Sequence, residues 1–544
     1  MLGLSIRLEI LGLALISFVF LLLVLMDSQY VFLPSEGIFN DQYLAAQLLE
    51  QFRGPEDSFW RALTEARLPA GRDPVWHGRL FTYLYMPFHA IFGAHWNLAR
   101  YWCLLFTLGS LAFTYGFMRR VYGPAAAMTA IFLLVVHPGY MMMIRIGSAF
   151  FSPMHFFSCG CLYFSSLWWD TRRHVFFGIA IAFIGLGLST MLWFGWFALG
   201  MAVATAFLAR KIFVRMRLTD WKSALRLVLA GTVGLLAGSV LLLYREWSGE
   251  SDLLNRVSSD VGSGLGSYIS TIPSSWSTIS EIWWSFSSNV SFAINPAANM
   301  LYPWAVVVAI AVAAGLSYRH SSEQPLVLLP VVLAVMIAQV PLALRPTWDA
   351  TFFFYPLPQM VLAAAIIGSA RALRGRKAFA PFLVCILVLF AAEIRSMSAC
   401  VTLLRDRIEQ GAHLTPVYHL AEWLQKNQSP ERPVFLNKGD QLEPYLYFLE
   451  PERGQNLVSV APDELLGRLE GGGESGQTDW LFVYGLPRVS PEGLWPVSQR
   501  KNFQIDVVAE FRQREDSKFF GPPATVYRIR RGEIPESADK TDGL

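Results

Sequence analysis

Two carboxylates stand close together just past the first apolar run. The stretch Leu33-Pro34-Ser35-Glu36-Gly37-Ile38-Phe39-Asn40-Asp41-Gln42 follows the run Leu8–Met26. A carboxylate placed there can take the proton of a hydroxyl as a general base. Glu36 and Asp41 do not share a helical face at that spacing unless the backbone turns between them. Each also has a plain structural alternative. Glu36 suits the first turn of a helix, where the dipole favours an acid, and Asp41 suits the N-cap of Gln42–Phe52. The cations are spread along the chain. Arg145 ends the run Met141-Met142-Met143-Ile144, Arg345 and Asp349 share a short stretch between two apolar runs, and His77, Arg79 and Arg100 flank Leu80–Phe92. Arginine grips phosphate with two parallel hydrogen bonds, so an anionic lipid-linked ligand fits these positions. Snorkelling to headgroups is the alternative for Arg145 and for the three residues near Leu80–Phe92, and a local ion pair is the alternative for Arg345 and Asp349.

The composition says what surroundings these residues have. The chain has 544 residues, 54% hydrophobic and 16% charged, against about 25% charged in soluble domains. A net charge of +3 is too balanced for a nucleic-acid partner. Aromatic residues make up 14% of the chain, as interfacial belts and sugar-stacking surfaces both require. Cys103, Cys159, Cys161, Cys385 and Cys400 lie in or beside apolar runs and read as small hydrophobes; no second metal-spaced pair accompanies Cys159 and Cys161. Two acids are too few ligands to argue for a metal site, so no cofactor is expected and a divalent metal is left open.

The elements that must position the charged residues are membrane spans. Arg7 precedes the first run, and Met26-Asp27-Ser28 lacks a small-residue cleavage pattern, so Leu8–Met26 reads as an uncleaved span. Further spans are Leu98–Met118, Ala125–Met142, Ala149–Trp169, two helices within Val175–Leu208 broken at Ser189-Thr190, Leu225–Tyr244, Leu301–Leu316, Leu326–Leu344, Thr351–Ala370 and Phe379–Ala392. That is about eleven. Leu80–Phe92 is short and reads as a re-entrant or interfacial helix. Arg119-Arg120, Arg172-Arg173, the basic residues of 210–222 and those of 371–377 all fall inside if the N-terminus is cytoplasmic. Loops 27–96 and 245–300 are then outside. Residues 1–395 form the membrane module, and 396–544 an extracytoplasmic α/β domain. Its expected helices are His413–Asn427 and Pro462–Leu469. Its expected strands are Pro433–Leu436, Leu457–Val460, Trp480–Tyr484, Val507–Arg512 and Thr525–Ile529. It carries no Gly-x-Gly-x-x-Gly or P-loop.

Several segments together resemble the GT-C type glycosyltransferases, in the branch related to protein O-mannosyltransferases and the lipid A aminoarabinose transferase. They are Ser35-Glu36 with Asp41, His77-Gly78-Arg79 through Phe92-Gly93, Leu98-Ala99-Arg100-Tyr101 with Met118-Arg119-Arg120-Val121-Tyr122-Gly123, His137-Pro138 through Arg145-Ile146-Gly147, and Phe354-Tyr355-Pro356-Leu357-Pro358 after Arg345. The resemblance spans about Leu8 to Ala370. It implies transfer of a sugar from a polyprenyl-phosphate carrier to a lipid, glycan or protein acceptor. The reaction would take place on the outer face of a bacterial inner membrane, among membrane lipids. It places Arg345 at a family arginine, as the ligand of the carrier phosphate. Ser35 stands where the family has its aspartate, and Phe150 where many members have a second one. A non-catalytic relative, a transporter and a polysaccharide polymerase are the competing readings.

Overall fold

The computed structural model describes residues 2–25, 80–93, 98–146, 151–191, 194–215, 220–247, 301–319, 328–338, 355–409, 416–437, 442, 446, 456–471, 479–484, 503–511 and 524–531. These divide into two compact units. The helices up to residue 406 make the first; the chain from residue 407, together with 89–93 and 98, makes the second.

The first unit is helical. Its helices are α1 Leu2–Leu25, α2 Leu80–Phe92, α3 Leu98–Val121, α4 Pro124–Val135, α5 Pro138–Ile146, α6 Phe151–Thr171, α7 His174–Thr190, α8 Phe194–Arg215, α9 Trp221–Trp247, α10 Tyr302–Arg319, α11 Leu328–Ala338, α12 Leu357–Leu373 and α13 Phe379–Glu409. Among the described residues, four helical stretches are long and apolar enough to cross a membrane: Arg100–Val121, Phe194–Val214, Trp221–Leu243 and Phe379–Ala399. The chain is a helical membrane protein.

Three of the boundaries that differ from the sequence reading have a local cause or consequence. Ala125–Met142 is not one helix. It breaks after Val135, because Pro138 has no N–H to donate to the preceding turn and disfavours the helical conformation at His137. The segment starting at Thr351 reaches a turn at Tyr355-Pro356, so α12 begins only at Leu357. The last long helix does not stop at Ala392. No glycine or proline interrupts 382–409, and α13 runs on to Glu409. The helix pair expected to break at Ser189-Thr190 does so, with Met191 extended.

Backbone contacts fix the tightest seam, between α7 and α9. A Cβ placed on Gly234 would collide with the carbonyl oxygen of Gly178, and one on Gly238 with that of Ala182. Glycine four residues apart on α9 therefore lets two backbones touch, as small-residue seams do in membranes. Ser189 Oγ donates across the seam to the Gly238 carbonyl at 3.0 Å. At the α3–α4 turn, Gly123 has φ +94°, a conformation other residues adopt at a cost. Charged contacts gather at this end of the bundle. Arg119 pairs with Glu9 at 2.9 Å, Arg120 with Asp170 at 2.8 Å, and Arg371 reaches the Tyr122 carbonyl at 3.5 Å.

The second unit holds α14 Pro416–Asn427, α15 Pro462–Gly471 and five strands: β1 Val434–Asn437, β2 Leu457–Val460, β3 Asp479–Tyr484, β4 Phe503–Phe511 and β5 Ala524–Arg531. Their order is β2-β1-β3-β5-β4, with the first three parallel and the last two antiparallel to their neighbours. Alternate residues go to opposite faces. Val434, Leu436, Leu481, Val483 and Val526 pack with Leu420 and Leu424 of α14. Phe435, Trp480, Phe482, Tyr527 and Ile529 pack with Leu465 and Leu469 of α15. Both faces are covered, as an α/β domain requires.

Candidate functional site

The break between α4 and α5 puts one imidazole inside the helical unit. His137 is fully buried. It is the residue before Pro138 and acts as the N-cap of α5: its Nδ1 accepts the Gly139 N–H at 3.1 Å. A nitrogen that accepts carries no proton, so the ring proton belongs on Nε2. Pro138 at the first helical position removes one further N–H that would need a partner.

Residues from three other segments meet that ring. Tyr302, opening α10, lies edge-on at a centroid distance of 4.7 Å. Tyr355, just before α12, lies at 5.0 Å, with its hydroxyl 3.5 Å from each ring nitrogen. Glu393 of α13 is 1% exposed, and its Oε1 is 3.6 Å from His137 Nε2. Tyr140 of α5 and His155 of α6 complete the group, 5.9 Å and 6.4 Å from the Tyr355 ring. The polar distances are long for hydrogen bonds, and one Nε2–H stands between two acceptors. His137 and Glu393 are both sealed within the helical unit, and facing ionisable groups in such surroundings mark a candidate functional position.

The structure brings two of the expected site residues into view. Arg100 is 5% exposed in the first turn of α3. Two residues on, Trp102 Nε1 donates to the Leu84 carbonyl of α2 at 3.3 Å and its ring meets Tyr85 edge-on, so α3 and α2 are joined near Arg100. Arg145 lies in the last turn of α5, the helix that His137 caps. Glu36, Asp41, His77, Arg79, Arg345 and Asp349 lie outside the described residues, as do Ser35 and Phe150. α1, which precedes Glu36, packs on α4 and α5, with Phe20 stacked on Tyr140 at 6.4 Å.

The sequence reading took His137 only as part of a segment, and Glu393 lies one residue past the expected end of the last span, Phe379–Ala392. The signals were present: an acid and a histidine-proline pair inside stretches that are otherwise apolar. Nothing in the sequence links them to Tyr302 or Tyr355.

No family profile and no curated protein matches this chain. Solved structures do. ArnT from Cupriavidus metallidurans in the apo state matches over 96% of this chain and 98% of its own, at a TM-score of 0.54 and 14% identity. ArnT from the same organism bound to undecaprenyl phosphate matches over 95% and 97%, at 0.52 and 13%. The oligosaccharyltransferase of Archaeoglobus fulgidus matches over 87% of this chain and 67% of its own at 0.47 and 13%, too loosely to add to the argument. Identities this low speak for architecture alone: over nearly its whole length, the chain has the fold of ArnT.

Proposed function

We propose that the chain moves a sugar from a polyprenyl-phosphate carrier to a lipid, glycan or protein acceptor on the outer face of a bacterial cytoplasmic membrane. The observation that carries this reading is the fold shared with ArnT over nearly the whole of both chains, one of the two ArnT structures holding undecaprenyl phosphate. In this reading Glu36 is the base and Asp41 its neighbour or substitute. Arg145 and Arg345 hold the carrier phosphate, Asp349 orients Arg345, and His77, Arg79 and Arg100 bind the donor. The topology has about eleven spans, with the N-terminus cytoplasmic and residues 396–544 outside.

The test is release of polyprenyl phosphate from polyprenyl-phosphate sugars by the purified protein. Loss of the base in Glu36→Gln is expected to slow release by about 10²- to 10⁴-fold, with Asp41→Asn affected less. Release that survives both substitutions defeats the carboxylate assignment. One observation favours a second reading: serine and phenylalanine occupy positions 35 and 150, where the resemblance calls for aspartates. A non-catalytic relative would bind the carrier and release nothing from any donor.

A further inference from the structure

We propose that His137 and Glu393 are positioning residues for the phosphate end of the site, holding α5, which carries Arg145, against the Tyr355 start of α12. This rests on the carrier-phosphate binding of the reading above.

The ring's two nitrogens have separate tasks. Nδ1 caps α5 and must stay unprotonated to accept the Gly139 N–H. Nε2 then carries the proton and faces Glu393 Oε1 at 3.6 Å and the Tyr355 hydroxyl at 3.5 Å. Turning the ring over would set a ring N–H against the Gly139 N–H. The Gly139 N–H therefore selects the tautomer, the cap fixes the first turn of α5, and Glu393 and Tyr355 face the far edge of the ring.

That first turn sets the direction of a short helix. Nine residues are too few to be stable alone, so α5 depends on its cap and its packing. Arg145 lies about 12 Å along the axis from His137 at 1.5 Å per residue. A tilt of about 10° at the cap displaces that end by about 2 Å over this length. The second arm runs through Tyr355, held among His137, Tyr140 and His155 just before α12. One imidazole thus ties the helix that carries Arg145 to the start of α12. Tyr302 closes its open edge from α10. No role in proton transfer to substrate is implied, because His137 and Glu393 are sealed inside the unit.

The experiment uses the full-length protein in lipid nanodiscs, with undecaprenyl phosphate as the binding probe and a polyprenyl-phosphate sugar as the donor. His137→Phe keeps a ring and removes both nitrogens, and Glu393→Leu removes the carboxyl that faces Nε2. Each is expected to weaken undecaprenyl phosphate binding about tenfold, in keeping with the sensitivity of such sites to small displacements. Donor KM should rise in parallel while kcat barely changes. His137→Asn can still accept the Gly139 N–H, and Glu393→Gln can still accept from Nε2; both should regain most of the affinity. Histidine ¹⁵N spectra of the wild type should show His137 as the Nε2–H tautomer, and Glu393→Leu should shift that signal. Unchanged binding in His137→Phe and Glu393→Leu, an Nδ1–H tautomer in the wild type, or losses that only track melting temperature in all four variants would overturn the inference. Wild type that binds the lipid without transferring defeats the transferase reading alone. Wild type that neither binds nor transfers defeats both.

Discussion

Arg120 and Glu393 are both ionisable residues that face a partner, yet their surroundings make opposite demands. Arg120 and Asp170 form a 2.8 Å pair with side chains 33% and 44% exposed. Such a pair contributes about 0.2–1 kcal/mol, because water and salt screen it. A double-mutant cycle with Arg120→Ala and Asp170→Ala should therefore give a coupling under about 1 kcal/mol in thermal or denaturant unfolding, falling further at high salt. Glu393 has no such screening. The sequence showed Arg120 as part of a basic cluster, because clusters are local. It could not show the group around His137, whose ring meets a tyrosine hydroxyl 218 positions away. Spacing rules work within an element, and this group is made of single residues from different ones.

The helices were legible where a stop signal or a charge cluster marks their ends. Arg119-Arg120 before Gly123-Pro124, and Arg172-Arg173 before His174, bracket α3 and α6 in the sequence as in the structure. The break at His137-Pro138 was missed because hydropathy continues across it, although the proline was a sufficient physical reason to stop. Seams between helices were not legible, since a glycine in an apolar run looks the same in a seam or facing lipid. The two cases separate experimentally. Gly234→Leu forces a side chain into the Gly178 carbonyl and should abolish recovery of monodisperse protein from detergent. A Cβ on Gly315 meets nothing within 4 Å, so Gly315→Ala should raise stability by about 0.5–1 kcal/mol through helix propensity, seen as a higher melting temperature.

At the scale of the whole molecule, charge distribution is the feature the sequence states most openly. The structure sets Arg119, Arg120 and Arg371 at one end of the helical unit, and Tyr302, which opens α10, and Tyr355, just before α12, lie away from it. The proposed topology expects phosphatase fusions at 216–219 and 374–378 to be inactive and a fusion after Leu544 to be active. An inactive C-terminal fusion with a stable product would reverse the orientation. The sheet domain was readable nearly strand by strand, because β-branched and aromatic runs bounded by glycine and proline survive without context. Its strand order was not, since pairing partners are chosen by tertiary packing.

The contact between α7 and α9 bears on the route of any bilayer molecule. Where backbone atoms of two helices touch, no fissure is left for a hydrocarbon chain to slip through, and Ser189 stitches the same line. An isoprenoid tail approaching sideways from the bilayer must pass the helical unit at some other pair of helices. Crosslinkers placed along 178–189 and 231–238 should accordingly capture each other's helix and leave the prenyl chain untouched.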